Sequence, residues 1–143
     1  MITVLNSDIP APVIIRFIAS IMKEYNCKVA QEIFVVFVHN YDKNGRYCKE
    51  TTSSVTRRIS HVLYINIKKS HYEMLRTLCH ELRHAWQHEN KTEEYFRHDI
   101  PWAERPHEID AVEFAESVDV DKYYTKSFLG VIKSLIRKEQ RRS

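Results

Sequence analysis

The sequence predicts an α+β fold in which helices pack on one face of a small sheet. Two observations carry this prediction. Residues 11–25 and the later segments 71–89 and 121–138 repeat apolar side chains at the spacing of a helix. After the first of these segments come short runs rich in β-branched and aromatic residues, which are typical of buried strands. The predicted order is one helix, about three strands and three helices.

The N-terminal helix is predicted over residues 11–25. Pro10 and Pro12 suit the first turn of a helix, and Asn26 is suited to end it. The apolar residues that recur at helical spacing are Val13, Ile14, Phe17, Ile18, Ile21, Met22 and Tyr25.

Three strands are predicted after this helix. Residues 32–40 are too short for a core helix and have the composition of a buried strand. Asn44 and Gly45 both tolerate positive φ, so the pair predicts a tight hairpin that leads into a return strand over residues 46–52. A third strand is predicted over residues 61–67, HVLYINI.

Three helices are predicted in the second half of the chain. The first spans about residues 71–89, and a polar connection follows it. Pro106 suits the first position of the next helix, which should end near residue 118. The C-terminal helix is predicted over about residues 121–138, with apolar residues on one side.

Length and composition predict a single domain over residues 1–143 with a core of its own. The 2 glycines and 4 prolines argue against linkers and disorder. The net charge of the chain is +3, and basic residues are concentrated in the C-terminal segment IRKEQRRS. Nucleic-acid binding is only a weak expectation from this charge, because basic residues at a helix C-terminus also complement the helix dipole.

The cysteines and the apolar segments predict a cytoplasmic protein. Cys27, Cys48 and Cys79 are scattered and form no C-x-x-C pair, which argues against a disulfide framework. The N-terminus lacks the pattern of a signal peptide. The longest apolar stretch is interrupted by Arg16 and is too short to span a bilayer, so no membrane partner is expected.

The helix predicted over residues 71–89 carries the motif H-E-x-x-H as His80, Glu81 and His84. At 100° per residue both histidines lie nearly opposite the apolar stripe and one turn apart. This spacing brings two imidazoles to one point, as zinc requires. A water on an open position of the metal would become more acidic, and Glu81 could take its proton and pass it to the leaving amine.

A catalytic zinc needs a third protein ligand. Glu108 is the first choice, because Ala111 and Ala115 share its helix face and let that helix approach another closely. Asp110 is the second choice. His88 lies one turn further along a straight helix and cannot close a tetrahedral site, so we expect it to be solvated.

The segment Glu108-x-x-Ala111-x-x-Phe114-Ala115 resembles the glutamate-bearing helix of gluzincin-type zinc metallopeptidases. It is similar to the ImmA/IrrE-like metallopeptidases of bacteria and mobile elements. The small size also resembles SprT-like domains and small metallopeptidases encoded by phages. The resemblance covers roughly residues 60–118 and implies a small zincin-like domain, in the host cytoplasm if the protein is phage-encoded.

The resemblance implies one Zn²⁺ per chain, held by His80, His84 and Glu108, with Glu81 as the general base. Val112 departs from the pattern, since those families usually carry Asp or Asn there. SprT-like proteins use a third histidine as ligand, and His98 or His107 could serve as one.

The expected activity is zinc-dependent hydrolysis of a peptide bond in a protein or peptide substrate. Zincins bind substrate as an added strand, and residues 61–67 are expected to offer the edge. Candidates for stabilising the oxyanion are Tyr95, His98, Arg105, His107 and Tyr123. The alternative function is a non-catalytic zinc-binding module that binds a protein or nucleic-acid partner; the presence of Glu81 argues against it.

Overall fold

The computed structural model describes residues 1–51, 58–68 and 70–142, and these form an α+β fold as predicted. The strands are β1 (Ile2–Leu5), β2 (Glu32–Val38), β3 (Gly45–Thr51) and β4 (Ile59–Asn66). The helices are α1 (Ala11–Glu24), α2 (His71–Asn90), α3 (Pro106–Ser117) and α4 (Val120–Arg142), with 3-10 turns at Glu93–Tyr95 and Trp102–Glu104. All helices predicted from the sequence are confirmed, although α4 continues to Arg142 rather than ending near residue 138.

The sheet contains a strand, β1, that the sequence analysis does not predict. Within the described ranges the strand order is β1-β2-β4-β3. β1 runs parallel to β2, with Val4 opposite Val35, and α1 forms the crossover between the two strands. A run of 4 residues carries little periodicity, and its pairing is non-local, so the sequence pattern does not reveal it.

The predicted hairpin at Asn44 and Gly45 is wrong. β3 pairs antiparallel with β4, and β2 pairs with β4 in parallel, so β2 and β3 are not neighbours. Neither residue has a positive φ; in this connection Asn40 does, at 54°. After β2, the chain therefore skips the position next to β2, which β4 occupies, and forms β3 on the far side of β4. Residue 52, the last of the predicted return strand, lies outside the described residues.

β4, which contains most of the third predicted strand, lies inside the sheet. It is hydrogen-bonded to β2 on one side and to β3 on the other. The expectation that residues 61–67 offer a free edge is therefore wrong. In the part of the chain that the structure describes, the outer side of β3 has no strand partner, so β3 is the edge strand there.

Helices α1 and α2 close the core over one face of the sheet. α1 contacts β1 and α4, whereas α2 contacts β3, β4 and α3. Side chains alternate along β2, where Ile33, Val35 and Phe37 are buried and their neighbours are partly exposed. Leu63 and Ile65 of β4 are also buried. This alternation determines which face of the sheet is apolar, and α2 packs against that face over β3 and β4.

Helix α4 packs against the core along its N-terminal half. Val120, Tyr123 and Ser127 are buried. Leu135 and Ile136, near its C-terminal end, are 56% and 52% exposed. Despite its length, neither α4 nor any other helix among the described residues is long and apolar enough to cross a membrane.

Gly45, at the start of β3, is required by a close approach to α2 rather than by a turn. A Cβ at this position would lie 2.6 Å from Thr77 Cγ2, 3.0 Å from the Tyr64 carbonyl oxygen and 3.2 Å from Glu81 Cγ. We expect Gly45→Ala to lower the free energy of unfolding by about 1–3 kcal/mol, because overpacking forces backbone and side chains to shift. Urea unfolding measures this loss.

A second substitution separates this crowding from other effects of alanine. Thr77→Ser removes the methyl group that the added Cβ would meet first. The double variant should therefore recover part of the free energy of unfolding lost in Gly45→Ala. If Gly45→Ala unfolds at the same midpoint urea concentration as the wild type, β3 and α2 are not packed so closely.

Candidate metal centre

Helix α2 separates a buried apolar stripe from a face that carries titratable side chains. The helix begins after Ser70, whose hydroxyl accepts a hydrogen bond from the Glu73 N–H at 3.3 Å. His80 and His84 lie away from the apolar stripe, as the helical periodicity predicts, and both line a cleft together with Glu81. The apolar stripe consists of Met74, Leu75, Leu78, Cys79, Leu82 and Ala85.

His80, His84 and Glu108 direct their ligand atoms towards one point. His80 Nε2 and His84 Nε2 lie 3.2 Å apart. Glu108 Oε1, delivered by α3, lies 3.2 Å from His80 Nε2 and 2.7 Å from His84 Nε2. Ala111 and Ala115 are buried on α3, and such small side chains allow the close approach of α3 to α2 that the sequence analysis expects.

Glu81 lies beside the two histidines and is only 6% exposed. The ligand atoms of His80, Glu81 and His84 all lie within 4.8 Å of one another, so these three residues could hold a metal ion. Burial raises the pKa of the Glu81 carboxyl, although the nearby His84 and His80 oppose this effect. A carboxyl with a raised pKa is suited to accept and return a proton near neutral pH.

Charge interactions couple Glu108 to the histidines. Burial alone would raise the pKa of Glu108, but the hydrogen bonds with His80 and His84 outweigh burial and lower that pKa. Burial alone would lower the pKa of His84, but its hydrogen bond with Glu108 and the charges of Glu81 and Glu108 raise it. The cluster therefore favours positive charge at the point where its ligand atoms meet.

The chemistry and the spacing of these ligand atoms fit zinc. Zinc binds histidine nitrogen and carboxylate oxygen at about 2.0–2.2 Å with tetrahedral angles, which places neighbouring ligand atoms about 3.3 Å apart. The two distances of 3.2 Å, from His80 Nε2 to His84 Nε2 and to Glu108 Oε1, are close to this spacing, and the distance of 2.7 Å between His84 Nε2 and Glu108 Oε1 is shorter. Two imidazoles and one carboxylate are also a protein ligand set found in catalytic zinc sites.

The cluster lies in a cleft of about 930 Å³. The cleft is lined by β3 and the residues before it, by α2 and by α3, and this volume is ordinary for a ligand site. Its basic lining residues are Lys43, Arg46, Lys68 and Arg76. Its ring-bearing lining residues, other than the two histidines of the cluster, are Tyr47, Tyr72, His88, Phe96, His98, Trp102 and His107.

Asp110, the second choice for the third ligand, is engaged away from the cluster. Asp110 Oδ2 accepts hydrogen bonds from Arg83 Nε at 2.7 Å and from Gln87 Nε2 at 2.8 Å. Asp110 Oδ1 accepts a further bond from Arg83 Nη2 at 3.2 Å. The geometry therefore favours Glu108 over Asp110.

The structure divides the predicted oxyanion stabilisers into two groups. His98 and His107 line the cleft, and their ring centroids lie 5.3 Å apart. His107 Nδ1 is buried and lacks a hydrogen-bond partner among the described residues. The other candidates are engaged elsewhere: Tyr95 OH donates to the Pro106 carbonyl, Arg105 donates to the carbonyls of Ile100 and His98, and Tyr123 packs against Tyr25.

Tyr47 links β3 to β4 and α2 at one wall of the cleft. Glu89 Oε2 lies 2.7 Å from His61 Nε2, so that nitrogen donates and His61 Nδ1 accepts from Tyr47 OH at 2.6 Å. The ring of His88 stacks between Tyr47 and Phe96, with centroid distances of 4.7 and 4.0 Å. The prediction of a solvated His88 is therefore wrong.

The sequence pattern does not identify Tyr47 and Gln87 as parts of the site. Gln87 follows His84 by three residues on α2, and its amide oxygen lies 2.8 Å from His84 Nδ1. The i, i+3 spacing is a signal by which it could be found. Tyr47 carries no comparable local signal, because it reaches the site from a strand distant in the sequence.

His88 should make the stability of the protein depend on pH. Burial lowers the pKa of His88 to about 4, whereas an unfolded histidine titrates near 6.5. The unfolded chain therefore binds more protons below pH 6.5, so the free energy of unfolding should fall as the pH decreases from about 6.5 to 4. Because His88 is partly exposed, we expect its contribution to be on the order of 1–2 kcal/mol.

The variant His88→Phe keeps the ring stack and removes this titration. Urea unfolding of both proteins at pH 7 and pH 4.5 gives the difference, in which the titration of the other histidines cancels. His88→Phe should lose less free energy of unfolding between the two pH values than the wild type does. Equal losses would show that His88 is protonated as readily in the folded protein as in the unfolded chain.

Comparison with known proteins agrees with this geometry. The peptidase family model described as IrrE N-terminal-like domain matches residues 26–118, which include β2, β3, β4, α2 and α3. Searches of the curated proteins and of the solved structures gave no significant match. The family match covers the H-E-x-x-H helix and the glutamate-bearing helix together, as the resemblance to ImmA/IrrE-like proteins implies. The chain belongs to the IrrE N-terminal-like domain family.

Proposed function

We propose that the protein is a zinc-dependent peptidase that binds one Zn²⁺ through His80, His84 and Glu108. The observation that carries this proposal is the meeting of three ligand atoms at 2.7–3.2 Å beside the buried carboxyl of Glu81. A purely structural zinc site has no use for a free carboxyl next to its ligands. The peptidase family to which the chain belongs supports the same activity.

In this proposal Glu81 is the general base. Zinc, when bound, would make a water more acidic and polarise the carbonyl of the scissile bond. Glu81 accepts the proton of the attacking water and returns it to the leaving amine nitrogen, which balances the hydrolysis. Burial of Glu81 favours this transfer, because the raised pKa of its carboxyl lies closer to neutral pH.

We propose that a peptide substrate binds along β3. The outer side of this strand has no strand partner in the described ranges, and the residues that line the cleft include Gly45, Arg46 and Tyr47 of β3. An extended peptide can therefore add to the sheet beside the metal ligands. Lys43 and Arg46 flank this path and would favour substrates with acidic side chains.

We also propose that the protein works in the cytoplasm. Cys27, Cys48 and Cys79 are all free thiols, and Cys27 and Cys79 are buried, which is compatible with a reducing compartment. The single domain over residues 1–143 and the phage or mobile-element origin stay predictions.

Elemental analysis of protein purified without a chelator or a histidine tag tests the zinc proposal. We expect about one zinc per chain, together with cleavage of a disordered protein substrate that stops with 1,10-phenanthroline and returns with added zinc. Bound zinc without cleavage of a broad peptide library would favour the non-catalytic module that binds a partner. A folded protein that binds no zinc would refute both functions.

A further inference from the structure

Gln87 contacts His84 on the side of the imidazole that faces away from Glu108. Gln87 Oε1 lies 2.8 Å from His84 Nδ1. The side chain of Gln87 is fully buried, with 0% exposure. A buried amide needs protein partners for both of its ends, so the contacts of Gln87 restrict how it can face His84.

The other end of Gln87 fixes the orientation of its amide. Gln87 Nε2 donates to the His107 carbonyl oxygen at 2.9 Å and to Asp110 Oδ2 at 2.8 Å. Both partners only accept, so the nitrogen must face them and the oxygen must face His84. His84 Nδ1 therefore carries a proton, and in the neutral imidazole the lone pair lies on Nε2, beside Glu108.

Arg83 holds the far end of this chain of hydrogen bonds. Its guanidinium donates twice to Asp110, at 2.7 and 3.2 Å, and lies 3.8 Å from the centroid of the Trp86 ring. A paired guanidinium and carboxylate restrict one another geometrically, so Asp110 presents a fixed acceptor to Gln87. The order of contacts is Arg83, Asp110, Gln87 and His84.

We propose that Gln87 is a positioning residue for His84, and that Asp110 and Arg83 hold Gln87 in place. The inference rests on the proposed function, since it concerns His84 as a zinc ligand. Metal-binding histidines generally donate their second ring nitrogen to a hydrogen-bond acceptor, which orients the ring and raises its basicity. Val112 cannot supply such an acceptor, whereas Gln87 supplies one to His84 from the same helix as the ligand.

The test compares zinc affinity in variants of the full chain. Gln87→Met keeps the size of the side chain and removes the acceptor, and we expect its zinc dissociation constant to rise about 10–100-fold. Gln87→Glu keeps an acceptor for His84, and in its protonated form it can donate to Asp110. It should therefore bind zinc more tightly than Gln87→Met. Competition with a chromophoric chelator measures all of these constants.

Ser127→Ala controls for a general loss of stability. The Ser127 hydroxyl is buried on α4 and donates to the Tyr123 carbonyl at 2.6 Å, away from the cleft. This variant should bind zinc as tightly as the wild type, even if its melting temperature is lower. A role of Gln87 in stability alone would give Gln87→Met the same behaviour as Ser127→Ala.

Nuclear magnetic resonance supplies a signature that a structural role would not change. In zinc-loaded protein labelled with ¹⁵N-histidine, the His84 Nδ1–H should exchange slowly in the wild type and rapidly in Gln87→Met. Wild-type protein that binds zinc, with Gln87→Met within about twofold of its affinity, would overturn this inference alone. Wild-type protein that binds no zinc would overturn the proposed function and this inference together.

Discussion

Glu81→Gln is expected to remove peptide hydrolysis while zinc stays bound. The amide has nearly the size of the carboxyl but cannot accept the proton of the attacking water. Loss of a general base typically lowers a rate about 10²–10⁴-fold, so kcat/KM should fall by this factor. The rate of cleavage of a peptide substrate and the zinc content should be measured on the same sample.

The same variant distinguishes a base from a ligand. The ligand atoms of Glu81 and the two histidines lie within 4.8 Å of one another, so Glu81 is close enough to compete with Glu108 for the metal. If Glu81 is a ligand, Glu81→Gln should lose zinc as well as activity. If it is the base, about one zinc per chain remains in an inactive protein.

Glu113→Gln is the matched control for the change of charge. Glu113 lies on α3, is exposed, and is not among the residues that line the cleft. Its variant should keep both zinc and activity. Full activity in Glu81→Gln, with zinc bound, would refute the role of Glu81 as the base.

The parts of the site that the sequence predicts depend on spacing within one helix. His80 and His84 lie one turn apart on any regular helix, so their meeting follows from the motif alone. Ala111 and Ala115 flank Glu108 on its helix face, which predicts a close approach to a second helix without specifying which one. The structure shows that this second helix is α2.

The parts that the sequence does not predict depend on contacts between distant segments. Nothing local distinguishes a hairpin between β2 and β3 from the observed pairing of β3 with β4. Gly45 suggests a turn by its type, but its role is to let α2 approach β3. Tyr47 reaches the cleft from β3, which is the edge strand in the part of the chain that the structure describes. The prediction that residues 61–67 form an edge strand was wrong because β4 lies between β2 and β3.

Glu108→Ala is expected to weaken zinc binding by more than about 100-fold. Loss of a hydrogen-bond partner behind a ligand typically costs 10–100-fold in affinity, and loss of the ligand itself should cost more. Glu108 Oε1 lies within 3.2 Å of both histidine nitrogens, so this variant also removes the negative charge that offsets part of the charge of the metal. Chelator competition measures the affinity, and elemental analysis confirms the loss of zinc.

Variants of the rival ligands complete the assignment. Asp110→Asn should weaken zinc binding much less than Glu108→Ala, because Asp110 contacts Arg83 and Gln87 rather than the two histidines. His98→Ala should leave zinc bound, because the geometry favours Glu108 as the third ligand. Zinc that is lost in His98→Ala and retained in Glu108→Ala would instead indicate a site with three histidine ligands. That result would leave Glu108 with a role in holding the histidines, since its carboxylate contacts both of them.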